Sequence, residues 1–203
     1  MKKIMFNDRY GLTESVLQGR KTMTRRNIPT SKYVYINFKE IEKGNNNCYY
    51  VNDRVADYRE ASPYKIGEIV AVAQAYGSDD FCRHICELYN CKPDSEEQGC
   101  MIGVYMRESG WNNKMFVKAS LMPHQIFITD VRVERLQDIS EEDCMKEGIN
   151  PISRGYVFNP MPNDVDDYHT PREAYAALID KVSGKGTWES NPWVFVYDFK
   201  LIK

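Results

Sequence analysis

The chain has 203 residues, of which 42% are hydrophobic, and a formal net charge of −2 with a pI near 6.0. This length and apolar content suffice for one globular domain with its own buried core. The slightly acidic balance argues against a protein that coats nucleic acid by bulk electrostatics, because such proteins usually have a large basic excess. Any contact with nucleic acid should therefore depend on a small local patch.

The N-terminal residues do not resemble a targeting signal. The polar pair Asn7 and Asp8 interrupts the apolar residues of positions 4 to 6, which are too few for a signal peptide. No apolar run approaches the length of a membrane-spanning helix. We therefore expect a cytoplasmic protein with no membrane partner.

Residues 19 to 26 read Gly-Arg-Lys-Thr-Met-Thr-Arg-Arg and are the most informative stretch. They follow a predicted helix that reaches residue 18, which Gly19 can end with a left-handed turn. Lys21 and Thr24 then fall on an extended segment. Because alternation along a strand would point their side chains to opposite faces, a site that shares both needs a bend or bulge. A basic surface turn that only closes the helix is the simpler alternative.

The rest of the chain predicts mainly strands. A short strand is expected at 3 to 6, the basic motif lies on the next strand, and a polar, Tyr-rich excursion covers 27 to 63. We interpret this excursion as a β-hairpin with strands at 33 to 38 and 48 to 51. Further strands are expected at 66 to 73, 116 to 118, 125 to 136 and 192 to 202, the third of them long enough to bend around a barrel corner.

Two helices have clear start signals. Ser140 followed by three acidic residues predicts a helix that runs to Lys146 or Glu147 and stops at Gly148. Thr170, with proline next and a glutamate three residues on, predicts a capping box and a helix to about residue 182.

Four stretches occur in an order that resembles the ASCH domain, a member of the PUA-like group of small β-barrels. They are the basic motif at 19 to 26, Tyr-Lys-Ile-Gly-Glu-Ile-Val at 64 to 70, the run from 126 to 142, and the closing strand at 193 to 199. The match covers about residues 8 to 202 and is weakest across 27 to 63 and 77 to 110. Residues 122 to 139 and 191 to 193 also resemble the long ASCH proteins of bacteriophages and prophages.

The resemblance implies a fold class and an arrangement of the chain. The fold would be mainly β with flanking α-helices (α+β), built on a PUA-like small β-barrel. Residues 1 to 203 would form a single domain, with the hairpin excursion at about 27 to 63 and an inserted Cys-rich segment at about 77 to 112.

The resemblance also implies a reaction. Lys21, Thr24 and Glu147 are similar to the lysine, threonine and glutamate of small bacterial ASCH enzymes that hydrolyse the amide of N4-acetylcytidine. In those enzymes the threonine is the nucleophile, and the lysine and glutamate handle its proton. The chemistry is sound, because a threonine hydroxyl needs a base at neutral pH and a desolvated lysine can become one. The alternatives are a strand residue for Thr24, an anion clamp for Lys21 and a solvated helix end for Glu147.

The cysteines at positions 82, 86, 91 and 100, with His84 among them, raise the question of zinc. A structural zinc site needs four such ligands in a tetrahedron. The spacing lacks a Cys-x-x-Cys knuckle, and a helix from 80 to 89 would place Cys82 and Cys86 on one face with His84 on another. We therefore favour packed, reduced thiols and expect neither metal nor cofactor.

Aromatic and basic residues are candidates for ligand binding. PUA-like barrels are described as RNA readers, and exposed rings stack on splayed-out bases. The ring candidates are Tyr76 and Trp111, with Trp188 as a third. The basic candidates are Arg20, Arg25 and Arg26. A cleft beside the barrel would be lined by Arg20, Lys21, Thr24, Arg25 and Glu147.

The sequence thus predicts a protein that recognises a modified nucleoside or RNA, with amide hydrolysis of an acylated cytidine as its enzymatic form. A non-catalytic nucleic-acid-binding module of a phage or mobile element is the alternative. A protein-interaction adaptor is a third hypothesis.

Overall fold

The computed structural model describes residues 1–29, 35–51, 54–90, 102–158 and 167–202. Nine strands are present in these ranges: β1 Lys2–Ile4, β2 Met23–Asn27, β3 Asn47–Val51, β4 Arg54–Asp57, β5 Ile69–Val72, β6 Gln125–Arg135, β7 Asn150–Ile152, β8 Gly155–Val157 and β9 Trp193–Ile202. The same ranges contain seven α-helices: α1 Leu12–Leu17, α2 Phe38–Glu42, α3 Asp79–Tyr89, α4 Ile102–Tyr105, α5 Glu141–Lys146, α6 Pro171–Ser183 and α7 Thr187–Ser190. Every described helix is too short or too polar to cross a bilayer.

The main sheet has five strands in the order β1-β5-β6-β9-β2. Strands β1 and β5 are parallel, whereas the pairs β5 with β6 and β2 with β9 are antiparallel. Two hairpins, β3 with β4 and β7 with β8, form separate two-stranded sheets. The fold is therefore α+β, as expected. Within the described ranges the main sheet does not close into the expected barrel.

The chain divides into two compact units. The first comprises residues 1–6, 69–127 and 201–203. Its core is an apolar cluster built on α3 and the residues before it, including Ala73, Tyr76, Phe81 and Ile85. The second comprises residues 7–68 and 128–200 and contains Lys21, Thr24 and Glu147.

Both helices with strong start signals are confirmed. The Ser140 hydroxyl accepts a hydrogen bond from the Asp143 backbone at 3.1 Å, and α5 follows it. Thr170 and Glu173 form the expected capping box, with Pro171 at the first position of α6. These signals are reliable because the residues that satisfy the free N–H groups of a helix start lie within one turn of it.

Other segments differ from the sequence prediction. Phe38 starts α2 and stacks on the Trp193 ring at a centroid distance of 5.0 Å, so the strand predicted at 33 to 38 is wrong at that residue. Positions 33 and 34 lie outside the described residues. A hairpin does occur in the excursion, but it joins β3 to β4. The strand predicted at 116 to 118 is wrong, because a 3₁₀ turn (Lys114–Phe116), capped by the Asn113 side chain, occupies its start.

Candidate active site

Lys21 and Glu147 form a buried ion pair. The Lys21 Nζ lies 2.5 Å from Glu147 Oε2 and 2.6 Å from the Glu147 carbonyl oxygen. The two side chains are 2% and 5% exposed. The lysine ammonium therefore has two of its three donors committed to one residue, in a site that is almost free of solvent.

Backbone contacts fix the segment that contains Lys21. Gly19 adopts a left-handed conformation with φ of 73°, as the sequence suggests for the end of the helix. The Lys21 amide then donates to the Ser15 carbonyl, and the Thr22 amide donates to the Lys146 carbonyl, each at 2.9 Å. The segment is thereby tied to the ends of both α1 and α5, which brings Lys21 to Glu147.

The end of α5 is shaped by Gly148, which follows Glu147. Its φ is 102°, a conformation that favours glycine. A Cβ built at Gly148 would lie 3.7 Å from both the Cβ and the Cδ of Lys21. A side chain there would make ordinary contact with Lys21, so it is the backbone conformation at the end of α5 that favours glycine.

The pKa of Lys21 is lowered from its usual value near 10.5. Burial is the main cause, since it disfavours the charged amine. The Glu147 carboxylate opposes this effect, whereas the positive charges of Arg26 and Arg25 add to it. We expect burial to dominate, so the neutral amine becomes accessible at a lower pH than in a solvated lysine.

Arg25 is part of the support beneath this pair. Its guanidinium lies 3.2 Å from Glu147 Oε1, 2.5 Å from Glu134 Oε1 and 3.2 Å from Asp143 Oδ2. The side chain is only 1% exposed. Burial alone would lower the pKa of Arg25, but Glu147, Tyr175 and Glu134 together raise it above its usual range. The sequence places Arg25 among the ligand-binding residues. The structure instead commits its donors to three carboxylates.

A second arginine extends the network, and the sequence analysis missed it. Arg132 on β6 donates to Asp198 on β9, to Glu134 Oε2 at 3.2 Å and to Asp143 Oδ2 at 2.9 Å. We call the set of Lys21, Arg25, Arg132, Glu134, Asp143, Glu147 and Asp198 the charged cluster. A usable sequence signal existed in β6, where Arg132 and Glu134 alternate with buried Val131 and Val133 and so share the other face.

Thr24 lies on β2 with its side chain on the opposite face from Arg25. It is buried and pairs with Tyr197 across the sheet. On the Arg25 face, Met23 contacts the guanidinium through its sulfur at 3.1 Å, which agrees with strand alternation. Among the described residues, no hydrogen bond joins the Thr24 hydroxyl to Lys21 or Glu147. Lys21 lies before β2 begins at Met23. Its side chain is therefore not bound by the strand alternation that places Thr24 and Arg25 on opposite faces of the sheet.

Cys144 on α5 is another potential nucleophile close to Arg25 and Glu147. Burial raises the pKa of its thiol to about 12, against the lowering influence of Arg25. Because the thiolate is the reactive form, Cys144 is inert at neutral pH.

The remaining basic candidates lie at the edge of this site and are partly exposed. Arg20 donates from Nε to Gln18 at 2.8 Å and from a terminal nitrogen to Asn150 at 2.9 Å. Arg26 shares the strand face of Thr24, and its charge contributes to the lowered pKa of Lys21.

The aromatic candidates are packed against protein. Tyr76 is 2% exposed, with its ring 4.6 Å from Phe81 and 5.0 Å from Tyr105, and its hydroxyl accepts a bond from the Lys118 amide. A ring packed in this way has no exposed face on which a nucleobase could stack. Trp111 also packs on the Tyr76 cluster. Trp188 packs edge-on against Tyr175 at 6.2 Å.

No group of three or more metal-ligating side chains occurs in the described ranges. Cys82 and Cys86 lie on α3, as expected, and Cys86 is buried. Cys91 and Cys100 lie outside the described residues.

Comparison of the chain with protein-family models, with curated proteins and with solved structures gives no match.

Proposed function

We propose that this chain is an ASCH-type, PUA-like protein that binds a modified nucleobase, as free nucleoside or in RNA, and hydrolyses the amide of an acylated cytidine such as N4-acetylcytidine. The observation that carries the proposal is the buried Lys21–Glu147 pair. Lys21 lies three residues before Thr24, which is also buried. Lysine and glutamate are rarely buried, and titratable groups with perturbed pKa values are concentrated at functional sites.

Lys21 is the base in this proposal. Its lowered pKa makes a neutral amine available, which accepts the proton of the Thr24 hydroxyl. The Thr24 oxygen attacks the acyl carbon, the C–N bond breaks, and the leaving cytidine amine takes the proton from Lys21. Water then hydrolyses the threonine ester and releases acetate. Glu147 holds the lysine amine in place throughout.

This mechanism requires the Thr24 hydroxyl and the Lys21 amine to come within hydrogen-bond distance when substrate binds. Such contacts are often loose in the free enzyme and tighten in the complex. In its neutral form the amine can donate to Glu147 and accept the Thr24 proton with its lone pair, so the contact to Glu147 and a contact to Thr24 are chemically compatible.

A non-catalytic nucleic-acid-binding module is the second candidate. The observation in its favour is that, in the part of the chain that the structure describes, the Thr24 hydroxyl makes no hydrogen bond to Lys21 or Glu147. The three side chains therefore do not form an assembled triad in the resting site. In this case the ion pair would only connect the segment before β2 to the end of α5, and the partly exposed Arg20 and Arg26 would contact the nucleic acid.

Release of acetate from N4-acetylcytidine separates the two candidates. We expect the purified protein to release it and Thr24→Val, which removes the hydroxyl and keeps the shape, to lose nearly all of the rate. Thr22→Val is the matched control, because it makes the same change two residues away and should keep most of the rate. No release above a buffer blank at high protein concentration would reject the enzyme and favour the binding module.

The pair of Thr24→Val and Lys21→Ala tests whether the two residues act together. Each single variant should abolish the reaction, and the double variant should be no worse than either, because residues that act as one unit fail together. Full activity in Thr24→Val would assign the attack to another nucleophile or to water.

A further inference from the structure

Tyr175 on α6 has a buried hydroxyl that the mechanism above does not use. The residue is 0% exposed, and its hydroxyl has no hydrogen-bond partner among the described residues. The ring is held from the side by Trp188 at a centroid distance of 6.2 Å. A buried polar group without a partner is destabilising, so a hydroxyl kept in this state calls for an explanation.

The surroundings of this hydroxyl point to the ion pair. Helix α6 packs against α5, whose C-cap residue is Glu147. Of the titratable groups near Tyr175, Glu147 has the strongest influence on its pKa, followed by Arg25, Cys144 and Glu134. Burial raises the pKa of Tyr175 well above its usual value of 10, so the hydroxyl keeps its proton and remains a donor.

The proposed reaction creates a need for a donor at this place. When Lys21 releases its proton to solvent and becomes a base, Glu147 loses its cationic partner while still buried. Leaving one member of a buried pair uncompensated is strongly unfavourable. Arg25 remains on Oε1, but the oxygen that faces Lys21, Oε2, then has only a neutral amine beside it.

We propose that Tyr175 is a positioning residue that acts through Glu147, donating its hydroxyl hydrogen to the carboxylate when Lys21 gives up its proton. The proposal rests on the proposed function. The donor stabilises the state with neutral Lys21 and charged Glu147, and it is idle while Lys21 is charged. Tyr175 touches no substrate, so it should affect how readily the base forms and leave substrate binding unchanged. The other titratable groups that influence the pKa values of Lys21 or Tyr175 are Arg25 and Arg26 from β2, Glu134 from β6 and Cys144 from α5.

Tyr175→Phe removes the hydroxyl and keeps the ring. We expect the limb of the pH–rate profile on which Lys21 loses its proton to move to higher pH, with about a tenfold lower kcat below that limb. The plateau at higher pH and KM should be unchanged. The thermal midpoint at neutral pH should stay the same or rise, because the resting hydroxyl has no partner to lose.

Two results would overturn the proposal. An unchanged pH profile would mean that the hydroxyl is passive. A clear fall in the thermal midpoint would mean that the hydroxyl already has a structural partner in the resting protein.

A direct titration of Lys21 separates this proposal from the proposed function. The pKa of the Lys21 amine, followed by ¹⁵N NMR in the free protein, should be higher in Tyr175→Phe than in the native chain. If the Lys21 pKa is higher in Tyr175→Phe but the native protein releases no acetate, the hydrolase is rejected and the role of Tyr175 is kept. An unchanged Lys21 pKa in an active enzyme would reject only the role of Tyr175. Tyr58→Phe is the control, since Tyr58 is also buried but lies beside Val133, and it should not move the Lys21 pKa.

Discussion

The Lys21 ammonium lies 2.5 Å from the Glu147 carboxylate, and neither side chain has appreciable contact with solvent. A buried pair of this kind contributes little net stability, because the desolvation of both charges offsets their attraction. Its consequences appear when one member is removed or changes its protonation state. The predictions below use that property.

A double-mutant cycle on Lys21→Met and Glu147→Leu should reveal strong coupling. Each single change leaves a buried charge without its partner and should lower the free energy of unfolding by about 3 kcal/mol. The double variant should be less destabilised than the sum of the two, measured by urea unfolding. Simple additivity would mean that the two side chains do not interact in solution.

Stability should depend on pH through Lys21. The folded protein holds Lys21 at a lowered pKa, so between that value and about 10.4 the unfolded chain binds more protons than the folded one. In this window the free energy of unfolding should rise with pH in the native chain, relative to Lys21→Met. Urea unfolding of both proteins at pH 7, 8 and 9 checks this. A difference that stays constant across the window would contradict a lowered pKa.

Arg25→Lys should be far from conservative. A lysine keeps the charge but cannot bridge Glu134, Asp143 and Glu147 at once, because it lacks the planar fork of arginine. We expect a loss of about 2–4 kcal/mol in the free energy of unfolding, somewhat less than the cost of about 3–5 kcal/mol for a buried pair that loses a partner, because the lysine keeps the charge. Arg20→Lys is the matched control. Its side chain is partly exposed, so the loss should be about 0.5 kcal/mol or less.

Binding to RNA, where it occurs, should depend weakly on salt. Of the four cations in the basic motif, Lys21 and Arg25 are buried, whereas Arg20 and Arg26 are partly exposed, so we expect these two to meet phosphates. Two phosphate contacts correspond to a slope of about −1.4 for log K against log salt concentration on a single strand. Fluorescence anisotropy across a salt series measures the slope, and the combined Arg20→Ala and Arg26→Ala change should flatten it. A slope several times steeper would place the RNA site elsewhere.

Local signals in the sequence were sufficient for some elements. The N-caps at Ser140 and Thr170 depend on atoms within one helical turn, so the sequence contains all of the information that they need. The pairing of Lys21 with Glu147 could be expected from the family resemblance, although 126 residues separate them.

Other features depend on contacts between distant segments and were not predictable in this way. The burial of Tyr76 requires Phe81 and Tyr105, and the loss of Arg25 as a ligand contact requires Glu134 and Asp143. Phe38 is an aromatic residue of the kind that favours strands, but in the structure it begins α2 and stacks on Trp193. In each case, tertiary packing outweighs the local preference.

The two backbone bonds that hold the Lys21 segment, to Ser15 and to Lys146, also set a spacing. Because they anchor the segment immediately before β2 begins at Met23, one residue inserted between Lys21 and Thr24 would turn the hydroxyl to the other side of the sheet. If Lys21 and Thr24 act together as proposed, the three positions between them are a geometric requirement. The glycine after Glu147 is a second one. A search for distant relatives should hold these two spacings fixed and let the residues around them vary.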